Sequence, residues 1–177
     1  MDKPSDHDLM ARAAKGDERA FRILAERHAG AALRLARRIL GSAAAAEDIV
    51  QDALLRVWIN APRWRPEAAF RTWLYRVVVN LCLNAKRRAP DLPLDVAEYV
   101  ADPQPGADEQ LRLRERDRQL AAAIMALPER QRAAVVLTYQ EGLSNAEVAQ
   151  VLDISVSSVE ALLVRAKRTL RVAFESD

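Results

Sequence analysis

The residues with the clearest chemical meaning lie in the last third of the chain, in the segment SNAEVAQVLDISVSSVEALLVRAKR, residues 144–168. Ser144 can cap a helix, and Glu147 stands three residues later, where a capping box needs it. Asp153 falls at the turn, where a residue in the left-handed backbone region is required and where Asp is tolerated. Ser155 can cap a second helix. Two short helices joined by a tight turn, the second ending in a basic cluster, are typical of a helix-turn-helix, which places one helix in the major groove of DNA.

The second of these helices is predicted to have two faces. Val156, Val159, Leu163 and Ala166 recur at spacings of three and four, so this stripe is expected to pack inward. The alternative is a small helical hairpin with a solvated charged face. The residues expected to meet duplex DNA stand at the helix starts and on the outer face: Ser144, Ser155, Ser157, Ser158, Glu160, Ala161, Arg165, Lys167 and Arg168.

Composition predicts an all-α protein of two small domains. Half of the 177 residues are hydrophobic, only five are glycine, and no long window alternates as a β-strand does. Residues 1–88 and 111–177 are predicted to be helical domains with net charges of +7 and +1. Residues 89–110 carry a charge of −6, four prolines and a glycine, which excludes a long helix and predicts an acidic linker.

Several functional classes find no support in the sequence. The single cysteine, Cys82, allows no disulfide and no cysteine-based zinc site, and its leucine neighbours indicate a buried thiol. His7 and His28 are far apart, so no metal site is expected, and His28 is interpreted as a packed helix residue. No phosphate-binding glycine loop or nucleophile motif is present, so neither an enzyme nor a cofactor is expected. The polar, acidic N-terminus and the lack of a long apolar run indicate a cytoplasmic protein.

The N-terminal domain is predicted to contain four helices, which begin after Ser5, at Asp17, after Ser42 and near Pro66. The third reaches about residue 60, and its outer face combines carboxylates with a leucine. This face is either an ordinary polar surface with one stray leucine or a docking surface for a protein partner. The candidate docking residues are Asp48, Gln51, Asp52, Leu55 and Arg56.

The loop 60–66 and the fourth helix, to about residue 88, carry a second candidate surface. Trp64 stands between two arginines, and amides and cations recur every three or four residues along the helix. Proteins bind single-stranded nucleic acid with cations that lie along the phosphates and with aromatic rings that stack on the bases. The residue types found here suit that kind of binding. The alternative is that the three tryptophans are core residues, which is the interpretation preferred for Trp58. The candidate residues are Arg63, Trp64, Arg65, Thr72, Trp73, Arg76, Asn80, Asn84, Arg87 and Arg88.

Taken together, these segments resemble the extracytoplasmic-function group of bacterial sigma-70 factors over nearly the whole chain. EDIVQDALLRVW (47–58) is similar to region 2.2, and residues 70–88 are similar to regions 2.3 and 2.4. Residues 127–171, which begin LPERQRAAVVL, are similar to region 4. All three in this order, separated by a linker of this length, form a specific pattern.

The resemblance implies a non-catalytic, dissociable subunit that gives core RNA polymerase its promoter choice. Region 2.2 would dock on the polymerase, and regions 2.3 and 2.4 would hold the single strand of the −10 element, with a flipped base near Arg63, Trp64, Arg65 and Asn80. Region 4 would read the −35 element as duplex. An anti-sigma factor is expected as a further partner.

The recognition helix departs from the family, whose common form is close to GTVKSRLxRAR. Here Glu160 stands where a basic residue is usual, Ala161 where a serine is, and Leu162 where an arginine is. A carboxylate can accept from a cytosine amino group, and alanine can meet a thymine methyl. The alternative is that Glu160 repels phosphate and leaves Arg165, Lys167 and Arg168 to hold the DNA. The −35 sequence of better-known relatives therefore does not transfer to this chain.

Two alternatives belong to other classes. A transcription regulator of the LuxR type has a similar helix-turn-helix but carries a sensor or receiver domain, whereas residues 1–88 indicate only helices. A helical interaction module with a vestigial helix-turn-helix would not bind core polymerase.

Overall fold

The structure, a computed structural model, describes residues 3–65, 67–88 and 107–175 and contains no strand within them. The predicted all-α class is confirmed. The helices are α1 (Asp6–Ala13), α2 (Glu18–Leu40), α3 (Ala43–Asn60), α4 (Phe70–Arg88), α5 (Ala107–Ala126), α6 (Glu129–Val135), α7 (Asn145–Leu152) and α8 (Val156–Glu175). A 3-10 turn, Ala61–Arg63, follows α3, and a π-helical turn, Val136–Gln140, extends α6.

Local capping explains where the first three helices begin and end. Ser5 forms a capping box at the start of α1, and Asp17 accepts from the Ala20 amide, 3.0 Å away, at the start of α2. Gly41 ends α2 with φ +74°, in the left-handed region that glycine adopts without strain. Ser42 then caps α3. These predicted boundaries are confirmed.

Two predicted boundaries differ from the structure. The fourth helix begins at Phe70, because residues 67–69 form a turn instead of the first helical turn predicted near Pro66. Pro66 lies outside the described residues. Helix α5 begins at Ala107, inside the predicted linker 89–110, just after the last of its prolines and Gly106. The remainder of that linker, 89–106, lies outside the described residues.

Helices α1–α4 form the first domain. α2 packs against α1, α3 and α4, and its buried side chains include Leu24, Leu35 and Ile39. The Cys82 thiol is buried as predicted, and burial raises its pKa to about 12. Trp58 is only half-buried and lies against the ring of Phe21. It therefore lies at the edge of the core, whereas it was predicted to lie inside it.

Helices α5–α8 form the second domain. α6 and α7 pack on α8, and the buried face of α8 contains Val159, Leu163 and Ala166, as predicted. The prediction for Val156 is wrong: it is 42% exposed, because it stands in the first turn of α8, ahead of the residues that pack.

The two domains are in contact. α4 packs against α7, and α2 meets α6 and the π-helical turn. Arg132 of α6, only 5% exposed, donates to the carbonyl of Ile39 in α2 at 2.7 Å and to the carbonyl of Leu127 at 2.9 Å. It thus supplies a donor to a carbonyl that the helix end leaves unpaired. Burial lowers the pKa of the Arg132 guanidinium.

Candidate polymerase and nucleic-acid interfaces

A cleft of about 570 Å³ opens between the C-terminal end of α3, the loop after it and one side of α4, and is called here the α4 cleft. It brings together most of the residues predicted to hold single-stranded nucleic acid. Its lining residues are Arg56, Asn60, Arg63, Trp64, Arg65, Glu67, Ala68, Trp73, Arg76, Val77, Asn80, Leu81 and Asn84.

Trp64 is fixed from two sides. It follows the 3-10 turn, where its amide donates to the carbonyl of Ala61 at 3.1 Å. Its indole is half-buried and packs against the core, while the ring of His7, from α1, lies against it with centroids 5.5 Å apart. An indole held in this way presents a prepared surface to a base, so less ordering entropy is lost on binding.

Charged side chains and amide side chains line the cleft together. Four arginines and one glutamate give the lining a positive balance, and the amides of Asn60, Asn80 and Asn84 add donors and acceptors. The Asn60 side chain already donates to the carbonyl of Arg56 at 2.8 Å, which fixes its orientation. Cations, amides and two indoles in one open cleft suit a nucleotide chain with at least one unstacked base.

The helical period of α4 explains which predicted residues reach this cleft. Arg76, Asn80 and Asn84 are exposed on the cleft side, with half-buried Trp73 beside them. Thr72 was predicted on the same stripe but is only 5% exposed and is not among the residues that line the cleft. The side chains of Arg87 and Arg88 lie outside the described residues. Arg56, Asn60 and Glu67 were not among the candidate residues for this surface, and Arg56 reaches the cleft because the fold brings the end of α3 beside α4.

The predicted docking face lies on the outer side of α3. Asp48, Gln51 and Arg56 are exposed, Asp52 is half-buried, and the Leu55 side chain is 56% exposed. Arg56 Nε lies 2.9 Å from Asp52 Oδ1, and this hydrogen bond raises the pKa of Arg56. The structure adds Ile59, 64% exposed and one turn beyond Leu55. The i, i+4 spacing of the two aliphatic side chains could have revealed it in the sequence.

The predicted helix-turn-helix is present as α7, a short turn and α8. Ser144 and Glu147 form the capping box, with the Ser144 amide 2.9 Å from Glu147 Oε2, and these hydrogen bonds lower the pKa of Glu147. Asp153 has φ +55°, the left-handed conformation predicted for it. Ser155 caps α8 by accepting from the Ser158 amide at 3.2 Å.

The start of α8 presents a polar surface called here the α8 face. Its side chains are exposed, and the three serine hydroxyls lie 2.8–3.0 Å apart around Ser155. Lys167 lies over the ring of Tyr139, 5.5 Å from its centroid, a contact that the sequence did not predict. The residues of the face are Ser155, Ser157, Ser158, Glu160, Ala161, Arg165, Lys167 and Arg168, with Ser144 at the start of α7.

Among the described residues, no helix is long and apolar enough to span a bilayer. The same residues contain no cluster of three His, Cys, Asp or Glu side chains suited to a metal ion.

Comparison with known proteins identifies both domains. Residues 24–90 match the model of sigma-70 region 2, and residues 117–170 match that of sigma-70 region 4. The ECF RNA polymerase sigma factor SigM of Mycobacterium tuberculosis is 36% identical over 169 residues, covering 94% of this chain and 83% of SigM. The ECF RNA polymerase sigma-E factor of Escherichia coli is 33% identical, covering 94% of this chain and 92% of the relative.

A solved structure supports the same conclusion. CnrH in complex with the cytosolic domain of CnrY aligns with a TM-score of 0.72 at 29% identity, covering 98% of this chain and 99% of CnrH. The RNA polymerase sigma factor CnrH of Cupriavidus metallidurans is 34% identical over 187 residues, covering 98% of this chain and 97% of the relative. The chain belongs to the sigma-70 family, in its extracytoplasmic-function group. It is an RNA polymerase sigma factor, a class of transcription initiation factor.

Proposed function

We propose that this sigma factor has three binding surfaces. The outer face of α3 binds core RNA polymerase, and the α4 cleft holds the single strand of the −10 element. The α8 face contacts the −35 element as duplex DNA. The proposed units are residues 1–88 as region 2, a linker that begins at residue 89, and region 4, which extends to residue 177 and includes α5 from Ala107 onward instead of beginning at residue 111. The chain itself catalyses no reaction and acts in the cytoplasm with the polymerase. The names of its relatives, all sigma factors in the comparisons above, support this assignment.

The α4 cleft is the observation that carries the proposal. A flipped base costs a few kcal/mol of lost stacking, which the pocket must offset. Trp64 supplies a fixed stacking surface, Asn80 supplies a donor and an acceptor for a base edge, and Arg63 and Arg65 supply charge for the phosphates. Duplex DNA presents neither an unstacked base nor its full edge to such a cleft, so single-stranded DNA is the better fit.

The α3 face supplies what docking on a polymerase requires. Leu55 and Ile59 expose aliphatic surface side by side, flanked by Asp48 and the Asp52–Arg56 pair. An apolar centre with a polar rim is the usual anatomy of a protein interface. Because Arg56 also lines the α4 cleft, docking on the polymerase and strand capture would occur on adjoining surfaces.

The α8 face is the surface proposed to contact the bases of the −35 duplex. Glu160 and Ala161 are exposed in its second turn, where they can meet a cytosine amino group and a thymine methyl. Arg165 and Arg168 follow on the outer side and are placed to contact phosphates. A −35 element with a cytosine and a thymine in adjacent positions is the expected preference.

Regulation by a protein that binds the sigma factor completes the proposal. The CnrH structure contains the cytosolic domain of CnrY, and its chain aligns with 98% of this one. An anti-sigma factor is therefore the expected inhibitor, and the exposed Leu55 and Ile59 are a suitable site for it, since covering them would block the polymerase.

The experiment that tests the proposal separates the surfaces by mutation. Asp52→Ala with Leu55→Ala should weaken core binding while helicity is retained, and Trp64→Ala with Asn80→Ala should impair strand opening more than core binding. Core binding is measured with purified polymerase, and strand opening by permanganate footprints of the −10 region. Unchanged core binding in the first variant would refute the docking face, and wild-type footprints in the second would refute the cleft assignment.

A further inference from the structure

The segment that follows α6 brings an exposed aromatic ring against the recognition helix α8. The Lys167 ammonium lies over the ring of Tyr139, 5.5 Å from its centroid. Tyr139 is 56% exposed, and Lys167 is exposed as well. In the other cation–ring contact among the described residues, Arg71 over Tyr75, the ring is only 1% exposed. The Tyr139–Lys167 pair is therefore open to a ligand, whereas the ring of the other pair is enclosed in the fold.

The Tyr139 ring belongs to the π-helical turn, Val136–Gln140, that extends α6. The amide of Glu141 donates to the carbonyl of Val136 at 3.0 Å, five residues back instead of the four of an α-helix. The additional residue in the turn changes the direction of its side chains relative to those of a regular α-helix. Such turns are rare and are frequent at functional sites, so the contact with Lys167 lies in a segment that invites a functional explanation.

Lys167 lies on the same edge of α8 as the carboxylate of Glu160. The two residues are seven positions apart, which is about two turns, or about 10 Å along the helix axis. Glu160 is exposed, and a carboxylate on this edge repels the phosphates of a duplex that α8 enters. A cation held in place on the same edge offsets that repulsion.

We propose that Tyr139 is a positioning residue for DNA binding, whose ring holds the Lys167 ammonium where it can contact a phosphate of the duplex. The proposal rests on the assignment of the α8 face to duplex DNA. Because the N-terminal residues of a recognition helix contact base edges, a cation two turns after Glu160 is placed for the backbone that borders the groove. Tyr139 precedes α7, so the duplex-binding surface extends beyond the helix-turn-helix.

An ammonium that lies over a ring retains its capacity to bind an anion. A lysine has three N–H donors, and the face of the ring attracts the cation from one side only. The donors on the solvent side can therefore bond phosphate oxygens. An unrestrained lysine side chain loses much rotamer freedom when it binds, and a side chain already restrained by a ring loses less. Loss of the Tyr139 ring should weaken DNA binding although the charge of the protein is unchanged.

The test measures binding of the full chain to short fluorescein-labelled DNA duplexes of randomised sequence by fluorescence anisotropy. Phosphate contacts do not depend on sequence, so no known promoter is needed. Affinity is recorded between about 50 and 200 mM salt. Lys167→Met should reduce the slope of log affinity against log salt by about 0.9, the loss of one phosphate contact. The matched control is Arg130→Met, which removes one exposed charge from α6 and should leave the slope unchanged.

A double-mutant cycle identifies the role of the ring. Tyr139→Leu should weaken binding about threefold in the wild-type background, which corresponds to one exposed cation–ring contact. In the Lys167→Met background it should have no effect, because the ring acts through the ammonium. Tyr139→Phe keeps the ring and should bind like wild type, as should Gln140→Ala at the exposed neighbouring position. A merely structural role for Tyr139 would weaken binding equally in both backgrounds.

Three results would overturn the proposal: wild-type affinity in Tyr139→Leu, an equal loss in the two backgrounds, or a wild-type salt slope in Lys167→Met. If Tyr139→Leu fails to fold by circular dichroism, Tyr139→Gln carries the same cycle. New transcription start sites together with wild-type affinity in Tyr139→Leu would refute the role of Tyr139 and leave the proposed function intact. A wild-type chain that binds no duplex would refute the assignment of the α8 face as well.

Discussion

The imidazole of His7 and the indole of Trp64 lie in contact, with ring centroids 5.5 Å apart and planes inclined by 58°. The first helix of the chain therefore supports the loop that borders the α4 cleft. α1 is itself tied to α2, where Arg27 donates to the carbonyl of Pro4 and His28 Nε2 lies 2.7 Å from Asp6 Oδ2. Trp64, the proposed stacking residue of the cleft, thus contacts a segment that precedes the matched region 2, residues 24–90.

His7→Ala should weaken binding of a single-stranded −10 oligonucleotide to the holoenzyme by up to about tenfold, since an aromatic pair contributes about 0.5–1.5 kcal/mol to holding Trp64 in place. Core binding should not change. His7→Phe, which keeps a ring against the indole, is the control and should bind like wild type. Equal affinities for His7→Ala and wild type would show that Trp64 does not depend on α1.

Ser144→Ala should lower the free energy of unfolding of the second domain by about 1 kcal/mol, because it removes the cap of α7. Urea denaturation monitored by circular dichroism measures the loss. Arg130→Ala, an exposed change on α6, is the control and should stay within about 0.5 kcal/mol of wild type.

The same capping box predicts a pH dependence. Hydrogen bonds from Ser144 lower the pKa of Glu147 below its ordinary value of 4.5, so the folded state favours the ionised carboxylate. The contribution of the ionised Glu147 carboxylate to the free energy of unfolding is present above pH 4.5. It is lost as the pH falls through the lowered pKa that Glu147 has in the folded state. The stability difference between wild type and Glu147→Gln should therefore shrink on acidification from pH 6 to about pH 3. A difference that is constant over this range would contradict the prediction.

Asp153→Gly should stabilise the chain by about 0.5–1 kcal/mol, because glycine adopts φ +55° without the strain of a Cβ atom. The lost ion pair with Arg76 is largely exposed and offsets little of this gain. Asp153→Ala, which loses the same ion pair but keeps a Cβ, should be less stable than both wild type and Asp153→Gly. Thermal melts of the three proteins would show the order, and a melting temperature of Asp153→Gly below that of Asp153→Ala would contradict it.

Arg132→Met should lower the free energy of unfolding by about 2–3 kcal/mol, because it leaves the carbonyls of Ile39 and Leu127 without their charged donor in a buried site. Arg130→Met, on the exposed side of the same helix, should cost less than about 0.5 kcal/mol. Similar unfolding midpoints in urea for the two variants would show that the buried guanidinium contributes no more than its exposed neighbour.

The sequence predicted those features that depend on local rules. Ser5, Asp17, Ser42 and Ser144 cap helices where their hydrogen-bonding groups indicate, and Asp153 takes the left-handed conformation at the predicted turn. The helical period also placed Asn80 and Asn84 on one exposed side of α4.

What the sequence did not predict depends on how distant segments meet. Thr72 follows the same period as Asn80 but is buried in the fold. In the sequence, Glu141 is an ordinary polar residue at the end of a helix. Its hydrogen bonds with Arg38 and Tyr75 form only because the two domains are in contact. Val156 lies on the apolar stripe by spacing, yet it is 42% exposed in the first turn of α8.

As a sigma factor, this chain is expected to give core RNA polymerase its promoter choice. The most direct test is transcription in vitro from fragmented genomic DNA, with core polymerase in the presence and absence of the chain, followed by sequencing of the RNA 5′ ends. We expect new start sites that share two upstream elements at a fixed spacing, and we expect these start sites to be lost in the double variant Trp64→Ala with Asn80→Ala. Start sites identical to those of core polymerase alone, without detectable binding of the chain to core, would contradict this expectation.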